Sequence, residues 1–94
     1  MIDLKALNER AMSALHSDDL VQAEGLIEQI TRSRPGHPQA IMLTGILRGR
    51  QGRHEEAARL LESVLKLNPG SSTILLYLGS ALQELGRFEE AVAR

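Results

Sequence analysis

His54-Glu55-Glu56-Ala57-Ala58 is the stretch that comes nearest to a reactive motif. A histidine followed by glutamate opens the zinc-protease pattern, in which a second histidine one turn on completes the metal pair. That second histidine is absent here. His16 and His37 also fall at helix ends or in turns, and no two of the three histidines share a helical face at i,i+4, so no metal pair is expected. The serines sit where caps and turns are expected, with no histidine and acid arranged beside them as a triad. Gly45, Gly49 and Gly52 lie along a helix and its turn, without the Gly-Lys-Ser/Thr ending of a phosphate loop. Cysteine is absent, which removes disulfides and thiolate chemistry and is compatible with a reducing cytoplasm. These residues predict a chain that is not an enzyme, with no catalytic residue, cofactor or metal site.

Charge gives a second possible chemistry. From Gln29 to His54 there is no acid, while Arg32, Arg34, Arg48, Arg50 and Arg53 add five positive charges. Such a run could contact phosphate. However, the first two arginines and the last three fall at opposite ends of one predicted helix, roughly 20 Å apart. Glu55 and Glu56 come directly after, and the whole chain carries a net charge of −1. The run reads as a solvated face, and no nucleic-acid or membrane partner is expected. The N-terminus has no long apolar run, so neither a signal peptide nor a membrane span is predicted.

The elements that hold these residues are set by apolar spacing. Leu4, Leu7, Ala11, Ala14 and Leu15 fall on one helical face, with Asp3 as a plausible N-cap. His16 to Asp19 break that pattern, with Asp18 at the turn and Asp18 or Asp19 able to cap the second helix. That second helix is predicted over 20–32, and the interior Gly25 suggests a close crossing. Pro35-Gly36-His37-Pro38 is the strongest break. A third helix is predicted from Pro38 to about Gln51, a fourth over 54–67, a fifth from Ser71 or Ser72 to about Leu85, and a sixth from about Phe88. Glu55–Arg59 and Glu62–Lys66 are spaced to pair on the fourth. Tyr77 and Phe88 are the only aromatics, so aliphatic side chains must supply the packing.

These elements repeat. A shift of 34 residues carries Gly45 to Gly79, Gly52 to Gly86 and Ala57 to Ala91, and the reverse shift carries Ala57 to Ala23 and Pro69 to Pro35. The string Gly52-Arg53-His54-Glu55-Glu56-Ala57-Ala58 returns as Gly86-Arg87-Phe88-Glu89-Glu90-Ala91-Val92. A fixed period of this size signals stacked supersecondary units. The copies are bounded as 4–37, 38–71 and a partial 72–94, within one domain over 1–94. Because the third copy stops short, the chain is expected to be the N-terminal part of a longer protein.

The period, the pairs Thr44-Gly45 and Leu78-Gly79, the turn glycines, the alanine column and the prolines resemble the tetratricopeptide repeat family. Arg48 and Leu82 stand where that family often has Tyr, and Ile41 and Leu75 where it often has Trp. The resemblance implies an all-α, right-handed α-solenoid of antiparallel helix pairs, with the first helix of each pair lining a concave groove. It implies a protein-binding scaffold. The family's chaperone-tail clamp uses Lys, Arg and Asn side chains, and the corresponding places here hold Asn8, Met12, Leu43, Thr73 and Tyr77. With no Lys or Arg among them, that clamp is not expected.

Helical phase places Met12, Met42, Leu43, Ile46, Leu76 and Tyr77 at the centre of the groove, as contacts for an apolar helix or peptide. On that assignment, Leu43→Asp abolishes binding and leaves the helices intact. The opposing reading is that these side chains only pack between neighbouring helices. Residues 73–78 are apolar nearly all round, the mark of a buried helix. No further helix pair covers them, so the chain is expected to self-associate through its last repeat. An alternative reading makes the repeats an N-terminal arm that dimerises a larger enzyme, such as a glycosyl- or sulfotransferase, or presents its substrate, with catalysis beyond Arg94.

Overall fold

The computed structural model describes the backbone of residues 3–93 and the side chains of residues 3–86. Five helices succeed one another: α1 (Leu4–His16), α2 (Leu20–Ser33), α3 (Pro38–Arg50), α4 (His54–Leu65) and α5 (Ser72–Ala93). Each packs on the next, and α3 also touches α1 and α5. The molecule measures 54 × 27 × 19 Å, so the helices are layered along an axis and not gathered about one centre. The described residues form an all-α solenoid of consecutively packed helices. Among the described residues, no helix is long and apolar enough to cross a membrane.

Local chemistry sets the helix starts. Asp3 accepts a hydrogen bond from the Ala6 amide at 3.2 Å, and Asp19 accepts one from Gln22 at 3.3 Å. Each satisfies an amide that the helix itself leaves open. His37 does the same for α3 through Nδ1, which accepts from the Gln39 amide at 3.1 Å, with Pro38 at the first helical position. Ser71 Oγ accepts from the Ile74 amide at 3.2 Å and caps α5. The helix α4 differs, because its N-cap is Arg53 and no side chain caps it.

The turns repeat bond for bond. The Asp19 amide donates to Ala14 and the Asp18 amide to Leu15, at 2.9 and 3.2 Å. Thirty-four residues on, Arg53 donates to Arg48 and Gly52 to Gly49, at 2.8 and 3.1 Å. This paired pattern is the left-handed helix stop. Its left-handed residue is Asp18 (φ +62°) in one copy and Gly52 (φ +83°) in the next. Asp tolerates that conformation poorly compared with glycine but better than most side chains.

The third copy departs from the expected path. Gly86 lies inside a continuous helix, and α5 runs to Ala93 without a break. A separate sixth helix is therefore not formed. Ending α5 at Gly86 would expose carbonyls, and a helix spanning only 87–93 is too short to stand without extensive burial. The side chains of Phe88 and Ala91 lie outside the described residues.

The core is a row of aliphatics, with Leu15, Ile30, Leu43, Ile46, Leu47, Leu61 and Val64 fully enclosed. Gly45 permits the closest crossing: a Cβ there would come within 3.0 Å of Leu61 Cγ. Gly25 serves no such role, since a Cβ there would meet nothing within 4 Å. On α4 the Glu55–Arg59 pair forms at 4.0 Å between exposed ends and adds little. Glu62 and Lys66 form no ion pair among the described residues.

Candidate binding groove

The first helices of the layers, α1, α3 and α5, stand side by side, with α3 in the middle. The backbones of α1 and α5 do not meet. Their side chains do, where His16 Nε2 and the Tyr77 hydroxyl lie 3.2 Å apart. Either group can donate, depending on the histidine tautomer. Each residue of the pair lines a different hollow. One, of about 520 Å³, lies along α1 beside Asn8, Met12, His16 and Gln39. The other, of about 320 Å³, lies between α3, α4 and α5, with Ile46 and Leu61 among its walls.

The six apolar residues assigned to the groove divide into two groups. Leu43 is 0% exposed, and Ile46 and Met42 are also buried. Met12 and Tyr77 are half-buried against the core, and Leu76 is 67% exposed. The division has a packing cause. The helix α3 has α1, α2, α4 and α5 around it, so a side chain there meets a neighbour in nearly every direction. The surface that an incoming chain can reach without disturbing the core is therefore Met12, Tyr77 and Leu76, with Ile46 only at the floor of the smaller hollow. A Leu43→Asp change would bury a charge, so it cannot leave the helices intact as the groove assignment supposes.

The helix α5 is covered on one side only, as expected with no further helix pair against it: Ile74 and Leu78 are buried, while Leu75 is 48% and Leu82 47% exposed.

His16, Arg50 and His54 border the hollows and were not among the assigned contacts. The signal for Arg50 was present in the spacing: Gln39, Leu43, Ile46 and Arg50 continue one helical stripe. Three of the five arginines of the acid-free stretch find acids. Arg48 Nε lies 2.8 Å from Glu56, Arg53 lies 3.8 Å from the same carboxylate, and Arg32 lies 3.8 Å from Glu28. These pairings neutralise Arg32, Arg48 and Arg53 and leave Arg34 and Arg50 without an ion pair among the described residues. Asn8 Oδ1 is buried beside the larger hollow without a hydrogen-bond partner. Among the described residues, no group of three or more histidines and carboxylates could hold a metal ion.

A family model described as Tetratricopeptide repeat matches residues 50–94. No curated protein matches the chain.

Proposed function

We propose that the chain, which a tetratricopeptide repeat model matches over residues 50–94, is a protein-binding scaffold whose concave face takes an apolar helix or peptide. One observation supports this reading above the others. Met12 lines the larger hollow and Tyr77 the smaller, and Leu76, next to Tyr77 on α5, is exposed. An exposed leucine on one first helix and a half-open methionine on another give a surface that adapts to varied apolar partners. Buried Leu43 and Met42 contribute by holding α3 in place, not by contact, and Ile46 is reached only at the floor of the smaller hollow.

A photo-crosslinking residue placed at position 76, compared with one at Glu24 on α2, tests the assignment. In the cells that produce the protein, we expect discrete crosslinked species from position 76 and none from position 24. Equal labelling at both would remove the groove from consideration.

A second reading has its own observation. Leu75, Gly79 and Leu82 form an uncovered stripe on α5, and a Cβ on Gly79 would meet nothing within 4 Å. Such a stripe suits the close approach of another helix, and self-association through this face is proposed on that ground. Light scattering over a dilution series should then show a dimer that dissociates, and Leu82→Asp should leave a monomer at all concentrations. A wild-type chain that is monomeric throughout would end this second reading.

A further inference from the structure

We propose that the hollow between α3, α4 and α5 is a subsite for an apolar side chain of a partner helix, with Arg50 receiving a carboxylate one turn away on that helix. The proposal rests on the reading of the concave face as a protein-binding groove and specifies the chemistry of its occupant.

The floor of the hollow is apolar. Ile46, Ala57, Leu61 and Ala81 line it, and Gly45 and Gly49 contribute no side chains that would fill it. Its polar groups stand at Arg50, His54, Tyr77 and Ser80. Among the described residues no acid lines it; Glu84, on the same helix as Ser80, is not among the lining residues.

Arg50 differs from Arg48, Arg53 and Arg59. Arg48 and Arg53 share the Glu56 carboxylate, and Arg59 has Glu55. Arg50 forms no ion pair and no side-chain hydrogen bond with any described residue. An unpaired arginine on open surface is ordinary. This one lies beside an apolar cavity with no acid among the described residues of its walls, so the charge there has no counterpart among the described residues. A guanidinium binds a carboxylate through two parallel hydrogen bonds, which fixes both position and orientation.

The geometry favours a helical occupant carrying both groups. On a helix, residues three or four apart lie about 5–6 Å from each other. An apolar side chain entering the hollow therefore places a carboxylate one turn along within the surroundings of Arg50. Tyr77, whose hydroxyl lies 3.2 Å from His16 Nε2, also lines the cavity.

Selection of a random helical-peptide library on the 94-residue chain tests the proposal, run in parallel on Arg50→Gln and Arg50→Glu. Arg50 is exposed, so thermal unfolding should be unchanged in both variants. On the wild type we expect enriched peptides with a large apolar residue and an acid three or four positions away. With Arg50→Gln the acid preference should vanish, and with Arg50→Glu it should turn to Lys or Arg. In an enriched peptide, changing the acid to its amide should weaken wild-type binding about two- to fivefold, the range of a single exposed ion pair. Apolar enrichment without an acid, or an acid preference that survives in both variants, would overturn the subsite and leave the groove reading standing. No enrichment at all would overturn both.

Discussion

Gly45 on α3 and Gly79 on α5 occupy equivalent places 34 residues apart, and their surroundings are opposite. A Cβ on Gly45 would press on Leu61 Cγ at 3.0 Å, while a Cβ on Gly79 would meet nothing. The neighbours show the same contrast. Ile41 is half-buried and its counterpart Leu75 is 48% exposed; Arg48 pairs with Glu56, and its counterpart Leu82 is 47% exposed. Gly52 makes a turn and Gly86 continues a helix. Two stretches with the same local code thus end in different states. The code sets the stripe on each helix, and the adjacent helix decides whether that stripe becomes core or surface.

Substitutions at paired positions should break this equivalence most visibly where burial differs. Leu43→Asp places a charge at a fully buried site on α3. It should cost about 3–5 kcal/mol and unfold the chain by circular dichroism at ordinary temperature. Leu76→Asp on the exposed side of α5 should change stability by less than about 0.5 kcal/mol in a urea titration.

The turn glycines come next. Gly52→Ala forces a side chain into a left-handed conformation and should destabilise by about 1–2 kcal/mol. Gly86→Ala, in the helix, should stabilise by up to about 1 kcal/mol. Opposite signs in thermal melts would confirm that the two glycines do different things. Equal losses would show that Gly86 also turns the chain.

A smaller contrast lies at the crossing glycines. Gly45→Ala gains helix propensity but must displace Leu61, with a net loss of about 1 kcal/mol expected. Gly79→Ala has open space and should gain about 0.5–1 kcal/mol. At the bottom of the scale, Glu55→Gln removes an exposed pair and should shift stability by no more than about 0.5 kcal/mol in the same titration.

The helices themselves were legible because their signals are local. Apolar spacing, Asp3, Pro38 and the Asp18/Gly52 turn all act within a few residues, and the 34-residue period gave the stacking. Contacts across layers were not legible. Helical phase put Leu43 and Ile46 on the groove side, but it could not register that α3 is enclosed by four other helices. The breadth of the apolar run at 73–78 suggested a buried α5, although covering it needs a neighbour that the spacing does not supply. Gly86 misled for a related reason. A glycine permits a turn, but the turn forms only where the helix beyond it has enough surface to bury.

Amide hydrogen exchange at low protein concentration tests this contrast most directly. The account predicts that amides at 43–47 on α3 exchange only through global unfolding, while those at 79–86 on α5 exchange faster by local opening. Equal protection along both helices would contradict it, because coverage by neighbours would then not be what separates two copies of the same code.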